Sequence, residues 1–272
     1  MATKKTRFYI LDNGYMEMDQ NWIVQNFFTW ANANEKEKKA VWLRVPVYCV
    51  LIDHPDRGWI LYDCGVDPRA MIDAWPAPNQ LFFPYTHTEE QLLVNQLAKV
   101  GLKPEDITTV VVSHGHVDHV GNLPLFTHAD VYWGKEDFDY CMEALHSMPG
   151  IAVNSIIRAD VDVQCKSLTY ITEDTEIASG VTLLPCPGHT PCVLALLLEL
   201  ENESYLFTND VADTALNFGP PAIPSEPCND TKSLTESVER LRKIAKAKNA
   251  KVMFPHEMEQ FNSCKKAPDF YE

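Results

Sequence analysis

His114, His116, Asp118 and His119 fall in one short run, Ser-His-Gly-His-Val-Asp-His from Ser113 to His119, directly after the apolar stretch Ile107 to Val112. Neutral imidazole and carboxylate are the usual non-thiolate ligands of zinc and other borderline divalent ions. Alternate residues on an extended turn project His114 and His116 to one side, and the next pair, Asp118 and His119, turns away from them. Two clusters so close together suit two metal ions rather than one. A histidine-rich turn can also be a solvated loop, or a set of core histidines held by backbone carbonyls. That is the commoner reading for any one histidine taken alone, and it is the spacing that sets this group apart.

Three more residues of the same types follow at the ends of apolar runs. His189 lies in Pro187-Gly188-His189-Thr190-Pro191, Asp210 ends Tyr205-Leu206-Phe207-Thr208-Asn209-Asp210, and His256 follows Lys251-Val252-Met253-Phe254-Pro255. The His-x-His-x-Asp-His pattern after a hydrophobic strand, with these residues in this order, resembles the signature of the metallo-β-lactamase superfamily. The resemblance implies an α/β fold, a four-layer αββα sandwich. It also implies a division of labour, with His114, His116 and His189 on one metal, Asp118, His119 and His256 on the other, and Asp210 bridging the two. Asp118 and Asp210 are then the catalytic carboxylates. Coordination brings the pKa of a bridging water from about 16 to roughly 7, and the resulting hydroxide can attack a polarised carbonyl. The cofactor expected is two divalent ions, zinc by default, with iron, manganese or cobalt compatible with the same ligands.

The elements that must position these residues are legible around them. Residues 7 to 11 read as a first strand, and Val45 to Asp53 with Trp59 to Asp63 as a hairpin around Pro55-Asp56-Arg57-Gly58. Thr88-Glu89-Glu90-Gln91 is a capping box opening a helix with Leu92, Leu93, Leu97 and Val100 on its apolar face, and Gly101 is placed to end it. That helix leads to the strand Ile107 to Val112 and the metal turn. Val181 to Pro185, Val193 to Leu200 and Tyr205 to Thr208 read as strands. A second capping box, Ser233 to Glu236, opens a helix carrying Leu234, Val238, Leu241 and Ile244, and a last strand, Lys251 to Phe254, precedes His256. The candidate ligands thus fall on loops at strand ends, where a rigid scaffold presents chemistry.

With 272 residues, 46% of them hydrophobic, the chain can bury one sizeable core, and a single domain over 1-272 is expected. A net charge of −15 argues against nucleic acid as partner, since binding phosphate backbones relies on Lys and Arg. The longest apolar run, Val193 to Leu198, is too short to span a bilayer. The basic residues near Met1 are followed by no apolar region of export-signal length, so the cytoplasm is the expected location. The eight cysteines are dispersed without a Cys-x-x-Cys pair and read as free thiols. No Gly-x-Ser-x-Gly elbow points to a serine hydrolase.

Within the superfamily the chain is most similar to the N-acyl homoserine lactonases and related lactone hydrolases, on Arg44 to Pro55, Ile60 to Gly65, Tyr85-Thr86 and Val131 to Glu136. The resemblance implies hydrolytic opening of a lactone, a small-molecule partner, with quorum quenching as the corresponding role. Three positions depart from that group. Asp213 stands where a tyrosine typically hydrogen-bonds the substrate, Asn209 where glycine precedes the bridging aspartate, and Cys192-Val193 where Gly-His follows His-Thr-Pro. An ionised Asp213 would repel a developing oxyanion, so a remodelled pocket is expected, with Asp213 a candidate substrate contact, either neutral or binding a cationic or hydroxylated substrate, or else a residue that faces solvent. The aromatic segment with Trp22, Phe27 and Phe28 supplies further candidates; residues 15-42 read as a lid over an apolar substrate or a homodimer contact, with ordinary core packing as the alternative. His54, His87, His128 and His146 match no ligand position and read as surface or loop residues. Two other readings share these features: a thioester hydrolase of the glyoxalase II type or an iron-dependent sulfur dioxygenase, and a non-catalytic metal-binding or sensing protein.

Overall fold

The computed structural model describes residues 5–25, 31, 33–147, 155–226 and 228–272. A seven-stranded sheet runs in the order β4-β1-β2-β3-β5-β6-β7. Its strands are β1 (Arg7–Asp19), β2 (Trp42–His54), β3 (Gly58–Tyr62), β4 (Tyr85–Thr86), β5 (Thr109–Val112), β6 (Asp130–Gly134) and β7 (Ser167–Ile171). A five-stranded sheet follows in the order β12-β11-β10-β9-β8. It is built from β8 (Thr175–Ala178), β9 (Val181–Cys186), β10 (Val193–Glu199), β11 (Ser204–Phe207) and β12 (Ala250–Met253).

Side-chain alternation along the strands sorts the core into layers. Val50 and Ile52 of β2 and Val111 of β5 meet Leu194, Leu196 and Leu198 of β10 between the sheets. The opposite faces, carrying Cys49, Leu51, Val110 and Val112, pack with Leu97 of the helix Leu93–Lys99 and with Cys141 and Ala144 of Lys135–Ser147. On the outside of the second sheet, Val193, Ala195, Leu197 and Leu206 pack with Leu234, Val238, Leu241 and Ala245 of the helix Thr231–Lys248. Each fully buried leucine in these layers is worth about 1.5–3 kcal/mol. The result is the expected αββα sandwich.

The expected hairpin is present, with Leu51 opposite Leu61. Three local expectations are corrected. The first strand runs to Asp19 rather than stopping near residue 11, because a register shift between Asp12 and Tyr15 absorbs Gly14, whose φ is +96°, as a bulge. The segment 15–42 therefore begins inside β1 and ends at the first residue of β2. The helix expected from Ser233 starts at Thr231: Asp230 is extended, its carboxylate accepts from the Lys232 N–H at 3.1 Å, and the Ser233 hydroxyl donates to the same carboxylate. Glu236, the expected partner of a Ser233 cap, instead pairs with Lys232 at 3.7 Å. Finally, His54 is buried, not superficial: Nδ1 accepts from the Asp56 and Arg57 N–H groups of its own turn and Nε2 donates to the Ser179 carbonyl.

Candidate metal centre

Strand direction brings the chemistry to one edge. β3 is parallel to β5, and β11 is parallel to β12, while β9 and β11 each run antiparallel to β10 between them. The loops that leave β3, β5, β9, β11 and β12 therefore emerge on the same side in each sheet. They carry Asp63, His114 to His119, His189, Asp210 and His256 respectively. The sheets are tied together there: the Leu194 N–H donates to the Ser113 carbonyl at 2.9 Å, and the Tyr62 hydroxyl donates to the Leu194 carbonyl at 2.6 Å. Gly115 separates two of the histidines for a steric reason. A Cβ there would lie 2.2 Å from Cys141 Sγ, and its N–H donates at 2.9 Å to the buried Asp137.

The candidate ligands converge in two groups. Ligand atoms of His114, His116, His189 and Asp210 lie within 4.8 Å of one another, as do those of Asp118, His119 and His256. Asp210 spans both, with Oδ2 at 3.5 Å from His114 Nε2 and 3.3 Å from His189 Nε2, and Oδ1 at 3.4 Å from His119 Nε2 and 3.5 Å from His256 Nε2. Asp118 Oδ2 is 3.4 Å from His119 Nε2 and 3.6 Å from His256 Nε2.

These side chains fit a pair of cations. His114 Nε2, His119 Nε2 and Asp210 Oδ1 are buried and have no hydrogen-bond partner among the described residues, an arrangement that costs free energy unless a ligand satisfies it. His116 Nδ1 and His189 Nε2 face one another at 3.0 Å. In His119, His256 and His114 the second ring nitrogen is engaged, which leaves the inward one free to coordinate. His119 Nδ1 donates to Asp63 at 2.9 Å, His256 Nδ1 to the Pro46 carbonyl at 3.1 Å, and His114 Nδ1 to the Ser113 hydroxyl at 3.1 Å. Such partners fix tautomer and ring orientation in metal sites.

Asp63 is the functional residue that motif reading passed over. Its carboxylate accepts from the Ser113 N–H at 2.8 Å, the Ser113 hydroxyl at 2.9 Å, His119 Nδ1 and the Asn209 amide at 2.8 Å. It thereby orients both metal groups from behind. A lone Asp at the end of a strand gives no spacing signal; in the structure its four hydrogen bonds and its positive φ of 63° mark it. Asn209 gains a reason as well. At φ 49° it occupies left-handed space that asparagine tolerates better than most residues, and its side chain joins Asp63 to the Asp210 N–H.

Protonation differs across the centre. Burial, with the crowding of imidazoles, pushes His114 and His189 below their usual value and His116 to about 3. Burial opposes charge on His119 and His256 too, but Asp118 and Asp210 outweigh it, raising His119 well above its usual value and His256 to about 9. Asp213 is pushed well up by burial and then by Asp210.

His116, Asp118, His189, Asp210, Asp213 and His256 form the polar floor of a cavity of 620 Å³ whose walls include Met16, Met18, Trp22, Ile23, Phe83 and Ile156. Asp213 is 3% exposed, which removes the solvent-facing alternative and makes it part of the floor. Trp22 stands on the wall, edge-on to Phe83 with ring centroids 4.9 Å apart. Phe27 and Phe28, the other aromatic candidates, lie outside the described residues.

Comparison with known proteins agrees with this geometry. Residues 42–256 match the family model of the metallo-beta-lactamase superfamily. The chain is 32% identical over 275 aligned positions to N-acyl homoserine lactonase AiiB of Agrobacterium fabrum, covering 98% of this chain and 99% of that one. It is 30% identical to N-acyl homoserine lactonase AiiA of Bacillus thuringiensis subsp. kurstaki, covering 84% and 88%. Among solved structures, an N-acyl homoserine lactone hydrolase with the product N-hexanoyl-L-homoserine at its catalytic metal centre superposes with a TM-score of 0.82 at 25% identity, covering 98% of this chain and all of that one.

Proposed function

Because the chain belongs to the metallo-β-lactamase superfamily, we propose that it is a dinuclear metal-dependent hydrolase that opens lactone rings, with acyl homoserine lactones as the first substrates to consider. The observation that carries the reading is the pairing of two convergent donor groups, joined by Asp210, with a cavity whose walls are largely apolar and whose lining, among the described residues, contains no Lys or Arg. An acylated neutral ring suits such a cavity better than an anionic thioester carrier does.

His114, His116 and His189 would hold one ion, Asp118, His119 and His256 the other, and Asp210 both. Two such ions supply Lewis acidity at the substrate carbonyl and bring the pKa of coordinated water to about 7. The chain's own residues do the rest. Asp118 lies on the cavity floor, and although burial works against its charge, His119 holds its carboxyl below the usual range. It is an ionised acceptor placed to take a proton and pass it to the departing ring oxygen. Asp63 keeps His119 and His114 in register through hydrogen bonds. Trp22, Ile23 and Phe83 offer apolar contact to an acyl substituent and exclude water from the floor. For the imidazole-rich side we assign zinc, whose usual donors these are. The eight cysteines are all free, which supports a reducing, cytoplasmic setting, and no helix among the described residues is long and apolar enough to cross a membrane.

Acid release from a panel of lactones varied in ring and acyl chain tests the reading, with metal-loaded protein and a chelated control. Chelator-sensitive opening is expected, with rates rising as the acyl chain lengthens against the apolar wall. Silence across the panel with turnover of thioesters, or with oxygen uptake, would replace the lactonase reading by one of the other reactions this fold supports.

A further inference from the structure

Asp213 is the carboxyl group on the cavity floor that the ligand assignment leaves unused. Its surroundings make it expensive: it is 3% exposed, its Oδ1 has no hydrogen-bond partner among the described residues, and a second carboxylate, Asp210, is its near neighbour. A buried carboxylate beside another carboxylate needs a compensating positive charge or donor. The Ser225 side chain donates to Asp213 and His256 stands by as a positive charge, but Oδ1 keeps no partner, and among the described residues no Lys or Arg lines the cavity.

The geometry supplies a candidate. A carboxylate oxygen of Asp213, one of Asp210 and a ring nitrogen of His256 lie within 4.8 Å of one another, all three residues buried. The position is also held firmly, since the His256 N–H donates to the Asp213 carbonyl at 3.0 Å, linking the loop after β11 to the loop after β12. We propose that Asp213 is an additional ligand on the His256 side of the centre, so that this side draws on three carboxylates, Asp118, Asp210 and Asp213, against one on the other. This rests on the dinuclear reading above but not on the identity of the substrate.

The consequence is a chemical asymmetry between the two ions. Oxygen-rich donor sets suit manganese, which favours carboxylate and six-coordination, whereas imidazole-rich tetrahedral sets suit zinc. The His256 side accordingly accepts Mn2+ more readily than the His114 side does, and its ion carries a larger coordination number.

The test loads chelator-stripped full-length protein with Mn2+, Co2+ or Zn2+ and compares wild type with Asp213→Asn and Asp213→Ala. Ions per chain are counted by mass spectrometry, affinities taken from chelator competition, and coordination number from Co2+ absorption. Asp213→Asn keeps the shape and one oxygen of the side chain while removing its charge, and circular dichroism establishes that each variant is folded. Expected is a loss of at least about tenfold in Mn2+ affinity at one of the two sites, a smaller loss for Zn2+, stronger Co2+ absorption as coordination number falls, and an unchanged second ion. Unchanged competition curves and spectra in both folded variants would overturn the assignment. So would unaltered metal binding with an altered preference among lactones, which would make Asp213 a substrate contact instead. Inactivity of the wild type on every lactone, with the metal effect intact, would count against the proposed reaction and leave the ligand assignment standing.

Discussion

The two halves of the centre are made of the same residue types and behave oppositely. On one side His114, His116 and His189 crowd one another in a buried site and are held neutral, ready to coordinate. On the other, His119 and His256 sit among carboxylates and in the metal-free protein hold protons at neutral pH. The difference comes from the number of acids within reach together with the crowding of the imidazoles. It means that an ion enters one half without displacing protons and must expel them from the other.

The largest break is Asp210→Ala, which removes the residue common to both groups. Both ions and all turnover should be lost, whereas His116→Ala should empty its own side first. Metal counting with activity on the same samples checks this, and retained activity in either variant would remove the assignment. The effect should exceed the roughly 10–100-fold typical of losing a supporting partner.

Asp63→Asn is that supporting loss. It leaves every ligand in place but takes away the carboxylate that His119 Nδ1 donates to, so affinity should fall by about 10–100-fold, most strongly for the ion on the His119 side. Equal weakening of both ions in a competition titration would show that Asp63 serves the two halves alike through Ser113.

The smallest effect is one of pH. Metal affinity on the His256 side should climb with pH through about 9, where that imidazole is half deprotonated, and level off above it. His116, at about 3, meets proton competition only in strong acid. Dialysis across a pH series should pass through a state with one ion per chain in moderate acid; simultaneous loss of both would erase the contrast. For the metal-free fold the sign is reversed. The pairing of charged His256 with its carboxylates contributes fully below its ordinary value of 6.5 and is lost as pH rises through about 9.

The sequence reading worked where residues announce themselves locally. The candidate ligands are legible because each follows an apolar run that reads as a strand, and the capping box at Thr88 is present as expected, though it opens a short 3-10 turn, Glu89–Gln91, before the helix proper. It failed where meaning depends on distant partners. Asp63 meets Asn209 across 146 residues of chain, and nothing near either residue announces the contact. The first strand is expected over residues 7 to 11, yet β1 continues through Asp12-Asn13-Gly14, where the Asn13 side chain donates to the Gln91 carbonyl and accepts from the Val66 N–H. Asp213 sits too near Asp210 to be read confidently as either floor or surface until the burial of its loop is known.

One contact sets a schedule for biosynthesis. His256 is oriented by the carbonyl of Pro46, 210 residues earlier in the chain. The 210 intervening residues must be made before that bond can form, and because Pro46 lies in β2 of one sheet while His256 follows β12 of the other, this orientation waits until the two sheets have met.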